Sequence, residues 1–306
     1  MLGRIVMAVG VVAALVVALV AITRLGAWRQ GRARVPVVAT IAPLAEFAQR
    51  VGAERVATRV LVPPGIEAHD YEPSPQDLAA VARARLFVYV GVGFEPWVGR
   101  VVPTLPRRVG VVRATGGLPL IRAAGRPGAQ GQDGWDPHVW LDPVLAQQIV
   151  EAIAFALVAA DPDGARVYRD GAARTRADLE RLHAEYQAGL AQCGTRMLVT
   201  THTAFAYLAR RYSLEHLGLA GVIPEADPAP GSAAVLAGAL RLRGVRTVFV
   251  EPLGAARVAE AVAREIGART ASLDPLESLA PAGGDDYFRV MRRNLRTLRA
   301  ELGCTP

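Results

Sequence analysis

The sequence predicts an α/β protein of two lobes, each a four-stranded parallel sheet flanked by helices, joined by one long rigid helix. Three observations lead there. Short β-rich runs alternate with helical patterns from residue 35 onward, the scheme occurs twice, and a long charged helical stretch separates the two sets. Strands that alternate with helices imply parallel sheets covered on both faces.

The first set offers strands at 35–41, 55–62, 85–92 and 107–114, with helical patterns at 43–51, 75–84 and 95–103. An apolar helix at 144–160 follows and stops at Asp161-Pro162. Residues 165–192 read as the joining helix, in which Leu179, Leu182, Tyr186 and Leu190 recur at helical spacing, so one stripe packs and the rest is solvated. The second set has strands at 195–201, 215–222, 246–252 and 268–275, with helices at 203–212, 230–243, 255–266 and 285–302. The expected division is therefore 1–34 as signal or membrane anchor and linker, 35–164 as N-terminal lobe, 165–192 as bridging helix and 193–306 as C-terminal lobe. Gly-rich residues 115–135 read as a mobile surface loop.

Composition narrows the class. Hydrophobic residues make up 52% and charged residues 21%, which excludes a disordered chain. Residues 5–22 carry no charged or polar side chain. As a helix they span about 27 Å, close to the roughly 30 Å of a bilayer core. With Arg4 ahead of it, the run resembles a signal or signal anchor. No cysteine follows it closely, so lipid attachment there is not expected, and no clean cleavage site is evident. Arg24, Arg29, Arg32 and Arg34 trail the run, against the usual charge bias, but a long folded domain translocates largely regardless of flanking charge. The net charge of +7 comes from scattered arginines without a single lysine, with few aromatics between them, which argues against nucleic-acid binding. Without lysine there is no phosphate-binding GxxxxGK, and GVGFEP (91–96) has Pro96 where a dinucleotide fingerprint needs its third glycine. Cys193 and Cys304 can pair in an exported protein and would close a long loop.

Five histidines occur. His183 on the charged helix and His216 in SLEHLGL read as solvent-facing or structural. His69 follows the strand 55–62 inside PPGIEAHDYEPSP, His138 sits in GWDPHVWLDP, and His202 follows the strand 195–201 in TTHTAF. Asp274 in SLDPL ends the last strand. Ligands of parallel α/β sheets bind beyond the carboxyl ends of the strands. Three imidazoles and one carboxylate, two from each half, would meet between the lobes and suit a borderline metal. Prolines near these positions would hold them stiffly, and Asp70, Glu72, Asp136 and Glu251 are candidates to accept a histidine's other ring N–H. Asp142 before Pro143 reads as a helix cap.

The segments PPGIEAHDYEPSPQDL, GFEPW, DPHVWLDP, THTAFAYLARRY, FVEPLG, SLDPL and GDDYFRVMRRNL resemble the metal-binding solute-binding proteins of ABC transporters, in particular the zinc-type cluster A-I group. The resemblance runs from about residue 36 to 304. It implies two α/β lobes, a long joining helix, and Zn(II) as transported ligand on His69, His138, His202 and Asp274. It also implies an extracytoplasmic monomer that hands metal to a permease driven by a separate ATPase; residues 5–22, if they are not cleaved, would hold it at the membrane. Manganese-carrying members have a carboxylate at the third position, where His202 stands here, so softness favours zinc over Mn(II) or Fe(II). Many zinc members have a histidine-rich loop where 115–135 lies, and here that loop has none. The rival classes are a zinc hydrolase, which would need an open water position and a base such as that of HExxH, and a surface adhesin using the same fold.

Overall fold

The computed structural model describes residues 34–123, 134–219, 238–253, 256–277 and 285–305. The apolar run 5–22, the middle of the 115–135 loop and most of the helix expected at 230–243 lie outside the described residues.

The first sheet contains β1 (Val35–Ala39), β2 (Val56–Val60), β3 (Leu86–Tyr89) and β4 (Gly110–Arg113), all parallel, in the order β2-β1-β3-β4. The second contains β5 (Met197–Thr200), β6 (Glu215–Gly218), β7 (Thr247–Val250) and β8 (Arg269–Ser272), again parallel, in the order β6-β5-β7-β8. All eight expected strands are present, each shorter than its apolar run, because the flanking residues leave the ladder to form the loops at the sheet ends. Strand order reverses between β1 and β3 and again between β5 and β7. At such a reversal the connections diverge and leave a crevice beyond the strand ends.

The helices described from end to end are α1 (Ala42–Gly52), α2 (Pro75–Arg83), α3 (Val98–Val101), α4 (Pro143–Ala160), α5 (Ala165–Gly189), α6 (Ala206–Arg211), α7 (Ala256–Ile266) and α8 (Tyr287–Glu301), and residues 238–242 are helical as well. Proline at the first turn and a side-chain cap set two of the starts. Ser74 and Asp77 form a capping box ahead of α2, and Asp142 accepts from the Val144 N–H ahead of α4.

The long helix α5 buries Tyr168, Gly171, Ala172, Thr175, Leu179, Leu182, Tyr186 and Gly189, one stripe at spacings of mostly three and four. That stripe lies on α1, α4 and α8, so the helix between the two sheets is embedded in one continuous apolar core. Tyr186 donates to the Met291 carbonyl of α8 at 2.7 Å, and Arg292 of α8 pairs with Glu185. At Gly171 the α1 and α5 backbones touch: an added Cβ would sit 2.1 Å from the Val51 carbonyl oxygen. Helix propensity alone favours alanine at a helical glycine by about 1 kcal/mol. Here overpacking against backbone reverses the sign, and Gly171→Ala is expected to destabilise by about 3 kcal/mol. A shift in the denaturant midpoint measures it, and a gain in stability would contradict this packing.

At the first reversal, buried Glu95 fastens the ends of β1 and β3. It accepts from Thr40 Oγ1 at 2.6 Å and from the N–H groups of Val90 and Gly91 at 2.8 and 2.9 Å. Burial outweighs those bonds and raises its carboxyl to about 7. The loop it secures carries Phe94, whose ring lies 4.4 Å from that of His69.

Candidate metal centre

His69, His202 and Glu277 come in loops that leave the carboxyl ends of strands, and His138 from the segment ahead of α4. His69 lies in the β2–α2 loop, tied down through Asp77, which accepts from Tyr71, Ser74 and Arg59. His138 opens the short turn Val139–Leu141 that leads into α4. His202 follows β5 directly, and Glu277 follows β8 after a turn. The ring centroids of His69 and His138 are 5.4 Å apart, those of His138 and His202 5.5 Å, and those of His69 and His202 6.3 Å.

Glu277 closes the group. One ligand atom from each of His69, His138, His202 and Glu277 can be chosen so that all lie within 4.8 Å of one another. His138 Nε2 is 3.0 Å and His202 Nε2 3.5 Å from Glu277 Oε1, and His69 Nε2 is 3.8 Å from Oε2. The histidine and glutamate side chains are at most 7% exposed. Yet the three Nε2 atoms and Glu277 Oε1 form no well-aligned hydrogen bond. Burying four polar atoms unsatisfied costs several kcal/mol, so the cluster is complete only when something accepts their lone pairs.

Outer partners aim the lone pairs inward. Asp136 Oδ1 lies 2.8 Å from His138 Nδ1, and the Glu251 carboxylate lies against His202 Nδ1. A carboxylate at Nδ1 keeps one proton there, so Nε2 is the nitrogen that ligates once the metal displaces its proton. Asp136 is held in turn by the His138 backbone N–H, and its own carbonyl accepts from Tyr207. Electrostatics follow from burial and these neighbours. Burial lowers the His69 imidazole to about 3. Burial also works against a charged His138, but Asp136 and Glu277 outweigh it and raise the ring to about 9. His202 is held well above its usual value, since Glu251 and Glu277 overcome its desolvation. Burial pushes Glu277 up, but the histidines outweigh it and hold the carboxyl well below the ordinary range.

Three sequence expectations need correction. Asp274 is not a member of the group: its Oδ1 accepts from the Leu276 N–H at 2.8 Å, and its Oδ2 faces Arg293. It builds the turn that carries the chain on to Glu277, with Leu276 in the left-handed region at φ 62°. Asn294 and Trp140 fix that turn by donating to the carbonyls of Asp274 and Pro275. Asp70 and Glu72 are exposed, and Glu72 faces Arg100 across 3.9 Å instead of a histidine. Asp136 and Glu251, by contrast, face the Nδ1 atoms of His138 and His202. SLDPLE marks a turn, with Asp before Pro, but not which of its two acids points inward.

The family model described as zinc-uptake complex component A, periplasmic, matches residues 37–301. The chain belongs to this family. It is 33% identical over 286 residues to the zinc-binding protein AdcA of Streptococcus pyogenes, covering 87% of this chain and 56% of that one. The chain thus spans about half the length of that relative. To the high-affinity zinc uptake system protein ZnuA of Bacillus subtilis it is 32% identical, with 87% of each chain covered. Among solved structures, the Zn(II)-bound ZnuA-like domain of Streptococcus pneumoniae AdcA superposes with a TM-score of 0.76 at 32% identity, covering 88% of this chain and 99% of that one. The laminin-binding protein of Streptococcus agalactiae, described as both adhesin and metal transporter, gives 0.79 at 32% identity over the same shares. Both agree with the two-sheet architecture and the long helix between the sheets. Cys193 and Cys304 form a disulfide, as the sequence suggested.

Proposed function

We propose that this chain captures Zn(II) outside the cytoplasmic membrane on His69, His138, His202 and Glu277 and delivers it to an ABC permease. The observation that carries this reading is the set of four buried, inward-aimed donor atoms with no hydrogen bond of their own. Three imidazoles and one carboxylate match the tetrahedral preference of zinc better than the oxygen-rich sets of manganese. Zinc is the cargo here, so what the protein supplies is selection and a dry, prearranged cage. Rigid outer partners reduce the ordering cost of binding.

A carboxylate in the fourth position favours capture over hydrolysis, because a catalytic zinc keeps that position for water. The chain acts as a monomer in this reading. The apolar run 5–22 serves as signal or membrane anchor in this reading. The adhesin activity named for the streptococcal neighbour has no separate support here.

Metal content and competitive affinity of the full chain, purified in detergent, test the proposal. One zinc per chain is expected, which excess Mn(II) does not displace, and His202→Glu should narrow that preference. Preference for Mn(II) in the unaltered chain would overturn the assignment of zinc.

A further inference from the structure

We infer that His216, through Thr200, is a positioning residue that sets the backbone of His202 and so the aim of its ring at the metal; this rests on the metal-capture reading above. His216 lies on β6, the edge strand beside β5, and its Nε2 is 2.8 Å from Thr200 Oγ1. Thr200 Oγ1 in turn donates to the His202 carbonyl. A carbonyl only accepts, so the single hydroxyl proton of Thr200 is spent on it. His216 must then be the donor at Nε2, which leaves Nδ1 bare. Burial keeps the ring neutral, lowering it to about 3.

The polarity of this chain of bonds therefore runs one way, from His216 N–H to Thr200 O–H to the His202 carbonyl. A hydroxyl that accepts a hydrogen bond is a better donor, so the first bond strengthens the second. The remaining groups of His202 are tied from the other side: its ring Nδ1 and its backbone N–H both face Glu251. With the carbonyl fixed by β6 and the ring fixed from beyond β7, little freedom remains for Nε2. The strand itself also presses on this backbone. A Cβ at Gly218, two residues along β6, would lie 2.5 Å from Thr203 Cγ2 and 2.9 Å from the His202 carbonyl carbon and the Thr203 nitrogen. The β6 backbone thus packs closely on the segment 202–203, against its main chain and the Thr203 side chain. Thr200 and His216 stand outside the group of His69, His138, His202 and Glu277.

The test measures competitive Zn(II) affinity in the full chain for His216→Ala, His216→Gln, Thr200→Val and the double variant His216→Ala/Thr200→Val. Groups that orient ligands typically change affinity by 10–100-fold, and a relay one bond further out is expected near about tenfold. His216→Ala and Thr200→Val should each weaken binding to this degree. Because both act through one hydroxyl, the double variant should lose no more than Thr200→Val alone. Glutamine presents an N–H donor and should restore affinity to within about twofold. Unchanged affinity in His216→Ala, or additive losses in the double variant, would overturn the relay. Imidazole ¹⁵N spectra supply a readout independent of zinc. A neutral His216 ring protonated at Nε2 is expected, and a ring protonated at Nδ1 would refute it. If the unaltered chain bound no zinc, the capture reading would fail, and the ring spectrum would still decide the direction of the bonds.

Discussion

Replacing Glu277 by glutamine should weaken Zn(II) binding about a hundredfold, whereas Asp274→Asn should leave it within about threefold of the unaltered chain. The estimate divides an apparent structural-zinc affinity of about 10–16 kcal/mol over four donors, or about 3 kcal/mol each. Glutamine keeps the shape of the side chain, so the loss reads the charge and donor strength of the carboxylate. Asparagine at 274 keeps the oxygen that accepts the Leu276 N–H, so the turn leading to Glu277 survives. What it loses is a 3.5 Å pair with a half-exposed arginine, a contact of small energetic weight. Competition against a chelator of known affinity separates the two variants. A large loss in Asp274→Asn with little in Glu277→Gln would restore the assignment read from the strand end.

That reversal shows where the sequence was legible. Continuous apolar runs such as LFVYV and MLVT mark buried parallel strands directly, and all eight were placed. His69 and His202 were legible because each follows a strand whose end must face the crevice, and His138 because it stands in DPHVWLDP just ahead of a helix start. A carboxylate is different. SLDPLE offers two acids three residues apart, and the choice depends on the backbone between them. Leu276 adopts a left-handed conformation that neither composition nor periodicity announces. The same limit applies to Asp70 and Glu72. They neighbour His69 in sequence, but along an irregular loop adjacent side chains point in unrelated directions, and both turn to water. Glu251 directly follows β7, whose direction the sheet fixes, and Asp136 stands two residues ahead of His138. His216 read as structural, and its place beneath Thr200 depends on β6 pairing with β5, a register not evident from the sequence alone.

The chain is expected to lose about 4–5 kcal/mol of stability when the Cys193–Cys304 bond is removed, and to keep its zinc affinity. The bond spans 111 residues. In the chain-entropy model a loop of that size restricts the unfolded ensemble by about 4.7 kcal/mol, and native strain would reduce the figure. The folded state needs the bond less. Around it, Gly194 donates to Gly303, Thr195 to Leu302 and Thr305 to Gln192, so the backbone already joins the end of α8 to the start of β5. Helix α8 is also held at its other end, where Tyr287 donates to the Trp140 carbonyl at 2.7 Å. Asn294, which fixes the turn before Glu277, lies between these anchors. The site should therefore keep its geometry while the unfolded state gains freedom. Cys193→Ser/Cys304→Ser should lower the thermal midpoint by about 10 °C, given 2–4 °C per kcal/mol in proteins approaching this size. Zinc affinity measured well below that midpoint should match the oxidised protein. A parallel loss of affinity would mean that the bond restrains α8 in the native state, and that stability and metal capture share this one anchor.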